Sequence, residues 1–393
     1  MTRSPQHSPV VTPADIRADR TSIKWTRFDP DVLPLFVAEM DFPVAESVRR
    51  AIIERIEASD LGYLDAPGPL TPAFSAFARD RWGWEIDPAH LTIATDVSVG
   101  IVETLRYGTP AGGSVVITPP VYPPFFELVE EKPAAVVQVP LLVDGDLAWS
   151  LDLDGLAAAF ADADAFLLCN PHNPVGLVHD EATLREVARL AAQHDVLVVS
   201  DEVHAPLVHP GVDFTPFAPL AAEAGARAVT VTSASKAWNI AGAKCAVVVA
   251  SDDRAAEILR HFPEEVECRA SIIGLHANVA AFGDTGWLDA TVDRIVENDA
   301  LLAELLADRL PTVVYHRPRA GYLGWLDFRG LGLGDDPAVR IREEARVAFN
   351  SGPAFGIEGR GFARINLACA PETLREAVAR IASTFGASRG ADD

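Results

Sequence analysis

Three apolar runs in this chain end in residues able to do acid–base or covalent chemistry. AFLLC is followed by Asn170-Pro-His-Asn173-Pro-Val-Gly176. VLVVS is followed by Asp201-Glu-Val-His204, and AVTVT by Ser233-Ala-Ser235-Lys236, with Lys244 eight residues beyond that lysine. An earlier unit, ATDVSVGIVETL, puts Asp96, Val97 and Ser98 where a helix begins. Each piece alone has an ordinary explanation: a structural turn, a helix cap, a surface lysine. The order is what carries information: an amide loop, then a carboxylate, then a lysine flanked by hydroxyls, each closing a buried strand.

Pyridoxal phosphate is the cofactor whose needs match that set. It requires an amine for its aldehyde, a carboxylate against its ring nitrogen, and donors for its phenolic oxygen and phosphate. Lys236 supplies the amine. Asp201 supplies the carboxylate, and an opposite charge at that nitrogen keeps it protonated. Asn173 can donate its amide to the phenolic oxygen, with His204 on the same turn as Asp201. A helix opening near Val97 and Ser98 offers N–H groups and a positive dipole end to the phosphate. Ser233, Ser235 and Lys244 complete that cup. Tyr122, in Pro-Pro-Val-Tyr-Pro-Pro, is placed to stack on the ring.

The elements that must position these residues are read from hydrophobic pattern. Candidate strands are Ser114–Thr118, Ala134–Val139, Ala165–Cys169, Val196–Ser200, Ala228–Thr232 and Cys245–Ala250. Their continuous β-branched or Leu-rich runs are the mark of strands covered on both faces. Helices between them, such as Glu181–Gln193, make right-handed crossovers the natural topology. The expected fold is α/β: a large doubly wound, mostly parallel sheet domain with a smaller α+β domain. In such sheets ligands bind beyond the carboxyl ends of the strands. The division expected is 1–50 as N-terminal arm and part of the small domain, 51–285 as the large cofactor-binding domain, and 286–393 as the C-terminal small domain. Residues up to about Arg20 read as a flexible tail or an arm. Helices are expected over Ala45–Ala58, Pro72–Arg81, Gly286–Leu310 and Pro371–Phe385, and strands over Tyr322–Asp327 and Ala363–Leu367.

A length of 393 residues suits a large domain plus a smaller one, and the net charge of -23 argues against a nucleic-acid partner. The four cysteines make no CxxC or metal-ligand pattern, so no metal site is expected; Cys169 and Cys245 read as small core residues. No apolar run has membrane-spanning length and the N-terminus lacks a signal-peptide core, which points to a cytoplasmic protein without a membrane partner.

The motifs LPLFVAEMDFPV (33–44), TPPVYPPF (118–125), CNPHNPVG (169–176), SDEVHAPLV (200–208), SASKAWNIAGAKCA (233–246) and GFARINLACAP (361–371) span nearly all of the chain. Together they resemble the fold-type I, class I/II aminotransferase superfamily, and within it the MalY/PatB-like cystathionine β-lyase branch. The resemblance implies that Lys236 is the Schiff-base lysine, Asp201 the partner of the pyridine nitrogen, and Asn173 the phenolate ligand. It puts His204 where many aminotransferases carry a tyrosine. It implies phosphate contacts for Ser233, Ser235 and Lys244, a stacking role for Tyr122, and a Tyr63 that reaches the neighbouring subunit's phosphate in a homodimer. Arg364 matches the arginine that grips the substrate α-carboxylate, a task suited to its planar fork. The loops TDVSVGI and GYLDAPG depart from the usual branch wording.

The activity so implied is α,β-elimination on an S-substituted L-cysteine such as cystathionine, giving thiol, pyruvate and ammonia. Transamination of an amino acid uses the same residues and is the nearest alternative. A regulatory or binding protein keeping the fold is a further alternative, although no DNA-binding element is evident.

Overall fold

A computed structural model describes residues 13–131, 134–144 and 148–386. Seven strands make the main sheet: β1 (Leu91–Ala94), β2 (Ser114–Ile117), β3 (Ala135–Gln138), β4 (Ala165–Cys169), β5 (Leu197–Asp201), β6 (Ala228–Thr232) and β7 (Ala246–Ala250). Their order across the sheet is β1-β7-β6-β5-β4-β2-β3. Only β7 opposes its neighbours; the other pairs are parallel. The fold is therefore the expected α/β architecture with a mostly parallel sheet.

β4, β5, β6 and β7 are buried at every residue. Successive side chains of a strand point to opposite faces, and two apolar clusters use that alternation. Leu167, Val199 and Val229 join Ile101 and Leu105 on one face. Phe166, Leu168 and Val198 join Leu184 and Val187 on the other. The helix Glu181–His194 presents that second stripe; Asp180 caps it by accepting from Thr183 N at 2.7 Å, and Asp195 ends it in a left-handed conformation. The helix Val97–Gly108 covers the first face. Gly100 lets it lie flush there, because a Cβ at that position would come within 2.8 Å of Val231 Cγ1.

A second sheet holds β8 (Val314–His316), β9 (Leu323–Asp327), β10 (Asn350–Ser351) and β11 (Phe362–Asn366), antiparallel in the order β8-β9-β11-β10. The helices Thr285–Arg309 and Pro371–Phe385 pack beside it, with Leu302, Leu306, Leu374 and Val378 in a common core.

Of the stretch read as a tail or arm, residues 1–12 lie outside the described residues, and residues 13–20 are docked. The helix Pro13–Asp19 opens this segment. Arg17 donates to the carbonyls of Trp25 and Phe28, and Arg20 to those of Met40, Asp41 and Phe42. Lys24 is 1 % exposed and donates to Glu39 O and to the Asp41 carboxylate. A buried ammonium is tolerable only when paired and hydrogen-bonded in this way. Strand β1 also has no counterpart in the sequence reading.

Candidate active site

Strand register brings the chemically capable segments to one edge. Cys169 at the end of β4 pairs with Asp201 at the end of β5, and Asp201 pairs with Val231 near the end of β6. The reversed strand β7 starts at that same edge, with Ala246 opposite Ala94 at the end of β1. Lys244 and Asp96, just outside those two strands, are thereby carried to the same place as Asn173, Asp201 and Lys236.

They line a cavity of about 170 Å³. Of the residues singled out from the sequence, Val97, Ser98, Tyr122, Asn173, Asp201, His204, Ser233, Ser235, Lys236 and Lys244 all border it. Tyr63 does not: it is 92 % exposed on this chain, beside Cys268 and Arg269. Arg364 is not a lining residue either. It is buried on β11 and reaches the cavity through Asn173, whose Oδ1 accepts from Arg364 Nη1 at 3.0 Å. That bond orients the Asn173 amide, leaving its N–H groups for another acceptor. Arg364 Nη2 donates to Phe36 O at 3.2 Å, its guanidinium lies 5.0 Å from the Phe355 ring centre, and its Nε has no partner.

The cavity's electrostatics follow from burial and from the arginine. The Lys236 amine is brought down to about 8, first by burial, then by the positive charge of Arg364. Asp201 is pushed up to about 6 by burial, opposed by the Val203 N–H that its Oδ1 accepts at 3.1 Å and by the Lys236 charge. His204 falls to about 3 because it is buried near Lys236 and Arg364; its imidazole is neutral and its Nδ1 unpartnered. Burial, then the Asp201 charge, raises the Tyr122 phenol.

Ser233 stands somewhat apart from the other cup residues. Its hydroxyl donates to Cys245 O at 2.8 Å, and its oxygen caps the turn carrying Lys236 by accepting from Ser235 N at 3.1 Å. Asn278, which the sequence reading did not single out, ties both ends of that loop. Its Oδ1 accepts from Ala234 N at 2.9 Å and its Nδ2 donates to Cys245 O at 3.4 Å. Ala38 and Tyr322 were also missed. Lys236 Nζ donates to Ala38 O at 3.4 Å, and the buried Tyr322 hydroxyl donates to the same carbonyl at 3.0 Å. The available signal for Tyr322 was a phenol at the head of an apolar strand, since a buried phenol needs a polar partner.

The donor set fits pyridoxal phosphate on its chemistry. It offers an amine easily deprotonated, a buried carboxylate, an oriented amide, and a helix N-terminus beside a lysine and a hydroxyl for an anion.

The profile of the aminotransferase class I and II family matches residues 30–381, and the chain belongs to that family. Cystathionine beta-lyase of Corynebacterium glutamicum is 36 % identical to it, over 93 % of this chain and 97 % of that protein. Cystathionine beta-lyase PatB of Bacillus subtilis is 32 % identical, again over 93 % and 97 %. Among solved structures, cystalysin of Treponema denticola, which contains a pyridoxal 5'-phosphate cofactor, superposes with a TM-score of 0.88 at 25 % identity, covering 94 % of this chain and 96 % of that one.

Proposed function

We propose that this chain is a pyridoxal-phosphate carbon–sulfur β-lyase, cleaving cystathionine or a related S-substituted L-cysteine. The observation that carries the chemistry is the convergence of Lys236, Asp201 and the Arg364-oriented Asn173 on one cavity. The choice of reaction is supported by the two curated relatives named cystathionine beta-lyase.

When bound, the cofactor supplies an electron-accepting ring for the electron pair left at the substrate Cα. Lys236 would hold the aldehyde through its amine until the substrate's own amine takes its place, which frees the lysine. Its lowered proton affinity makes it a base near neutral pH, able to take the Cα proton. Asp201 would hold the ring nitrogen protonated, and that charge would in turn keep the buried carboxylate ionised. Asn173, its Oδ1 held by Arg364, would donate to the phenolic oxygen beside neutral His204, and Tyr122 would cover the ring. Arg364, buried behind Asn173 with its Nε unpartnered, would receive the substrate carboxylate and so fix the direction of the Cα–H bond. The Cα–H and Cβ–S bonds break, the sulfur leaves as thiol, and one water is consumed in releasing pyruvate and ammonia. The proposed setting is the cytoplasm, and the assembly a homodimer in which Tyr63 serves the neighbouring site.

The family match also supports transamination, so the deciding experiment supplies cystathionine to the cofactor-loaded enzyme without any keto acid. Steady pyruvate release supports the lyase. Strict dependence on an added keto acid would replace it with an aminotransferase.

A further inference from the structure

The anion-binding corner of the cavity already contains an anion. Asp96 caps the helix Val97–Gly108, its Oδ1 accepting from Val99 N at 3.0 Å. Its Oδ2 accepts from Lys244 Nζ at 2.9 Å. Asp96 thus occupies two donors that a phosphate at a helix N-terminus would use: a first-turn N–H and the adjacent ammonium. Among the described residues lining the cavity, Lys236 and Lys244 are the only lysines, and no arginine borders it. Lys236 is taken up by the aldehyde, and the Ser233 hydroxyl is committed to Cys245 O. Lys244 is therefore the principal cation left for a phosphate, and Asp96 neutralises it.

We propose that Asp96 sets the affinity for the cofactor's phosphate by competing with it for Lys244. An incoming phosphate must share Lys244 with a carboxylate and sit against that carboxylate's charge. Both effects weaken binding of the phosphate and neither touches the pyridine ring. The chain is thereby built for a cofactor that exchanges more readily than an uncompensated lysine would allow. This inference rests on reading the cavity as a pyridoxal-phosphate site.

Asp96→Asn removes the charge and keeps an equally good helix cap, and Asp96→Ser is a second capping variant with the same prediction. The full-length chain, freed of cofactor, is titrated with pyridoxal phosphate, pyridoxal and inorganic phosphate. Relative to wild type, Asp96→Asn binds pyridoxal phosphate and inorganic phosphate roughly tenfold more tightly, the scale of one unit charge a few ångströms away in a partly exposed site. Pyridoxal affinity is unchanged, and added salt shrinks the tenfold ratio because both groups are partly exposed. Equal or weaker phosphate binding by both capped variants overturns the proposal, as does equal tightening for pyridoxal, which would place the effect away from the phosphate. If wild type and variants alike take up no pyridoxal phosphate, the reading of the site falls and this inference with it; if all take it up with one affinity, only this inference falls.

Discussion

Arg364 and Asn173 stand 191 residues apart in the chain, and Arg364 Nη1 donates to Asn173 Oδ1 at 3.0 Å. The bond joins the second sheet to the amide loop at the edge of the first, and it gives each residue a fixed orientation toward the cavity. Asn173→Asp would turn that neutral acceptor into a carboxylate paired with the guanidinium. The expected result is a KM raised at least tenfold with a smaller change in kcat, because the arginine is then partly neutralised toward the substrate carboxylate. Arg364→Met should lower kcat/KM by about 10²–10³, the scale of losing one partner of a buried charge pair. Steady-state kinetics on both variants check this, and wild-type KM values would remove Arg364 from substrate binding.

Glu202, next to Asp201, is pushed up to about 8 by burial, against hydrogen bonds from Phe217 N and the Ser200 hydroxyl. Its Oε2 is buried without a hydrogen-bond partner, so burial favours the protonated, uncharged carboxyl. The folded value lies above the usual carboxylate value. Its stabilising effect is therefore complete below about pH 4.5 and is lost as pH rises toward about 8. Glu202→Gln keeps an N–H donor and does not titrate. The stability of wild type relative to Glu202→Gln should fall by a few kcal/mol, an order-of-magnitude figure, across that window and level off above it. Thermal unfolding of both chains over pH 4.5–9 reads the difference; parallel curves would contradict it.

Tyr322 holds the Ala38 carbonyl through its buried hydroxyl, and Ala38 borders the cavity where Lys236 contacts the same oxygen. Tyr322→Phe removes one neutral hydrogen bond while its acceptor keeps another. The expected cost is about 1 kcal/mol of folding stability, read by denaturant unfolding, without loss of cofactor binding. A loss of several kcal/mol, or of binding, would give the phenol a larger part than positioning.

Much of this was legible in the sequence because burial on both faces leaves long apolar runs with sharp polar ends. AFLLC and AVTVT match β4 and β6 residue for residue, and the helix Pro371–Phe385 likewise. The strand-end rule then placed Asn173, Asp201 and Lys236 together. Strand β1 was not legible because LTIA is only four residues long and runs almost directly into the helix start at Asp96. The docking of residues 13–42 was not legible, since Arg17, Arg20, Lys24 and Asn366 act on main-chain carbonyls, which leave no side-chain pattern. The dual role of Ser233 and the clamp made by Asn278 have the same origin: both bind backbone groups of a loop.

The chain has four lysines: Lys24, Lys132, Lys236 and Lys244. Reducing the cofactor-loaded enzyme with borohydride, digesting it and mapping the modified peptide by mass spectrometry asks which amine carries the cofactor. A pyridoxyl group on Lys236, absent from the Lys236→Ala variant, is the predicted result. A label on Lys24, Lys132 or Lys244, or no label on a protein that retains full lyase activity, would contradict it.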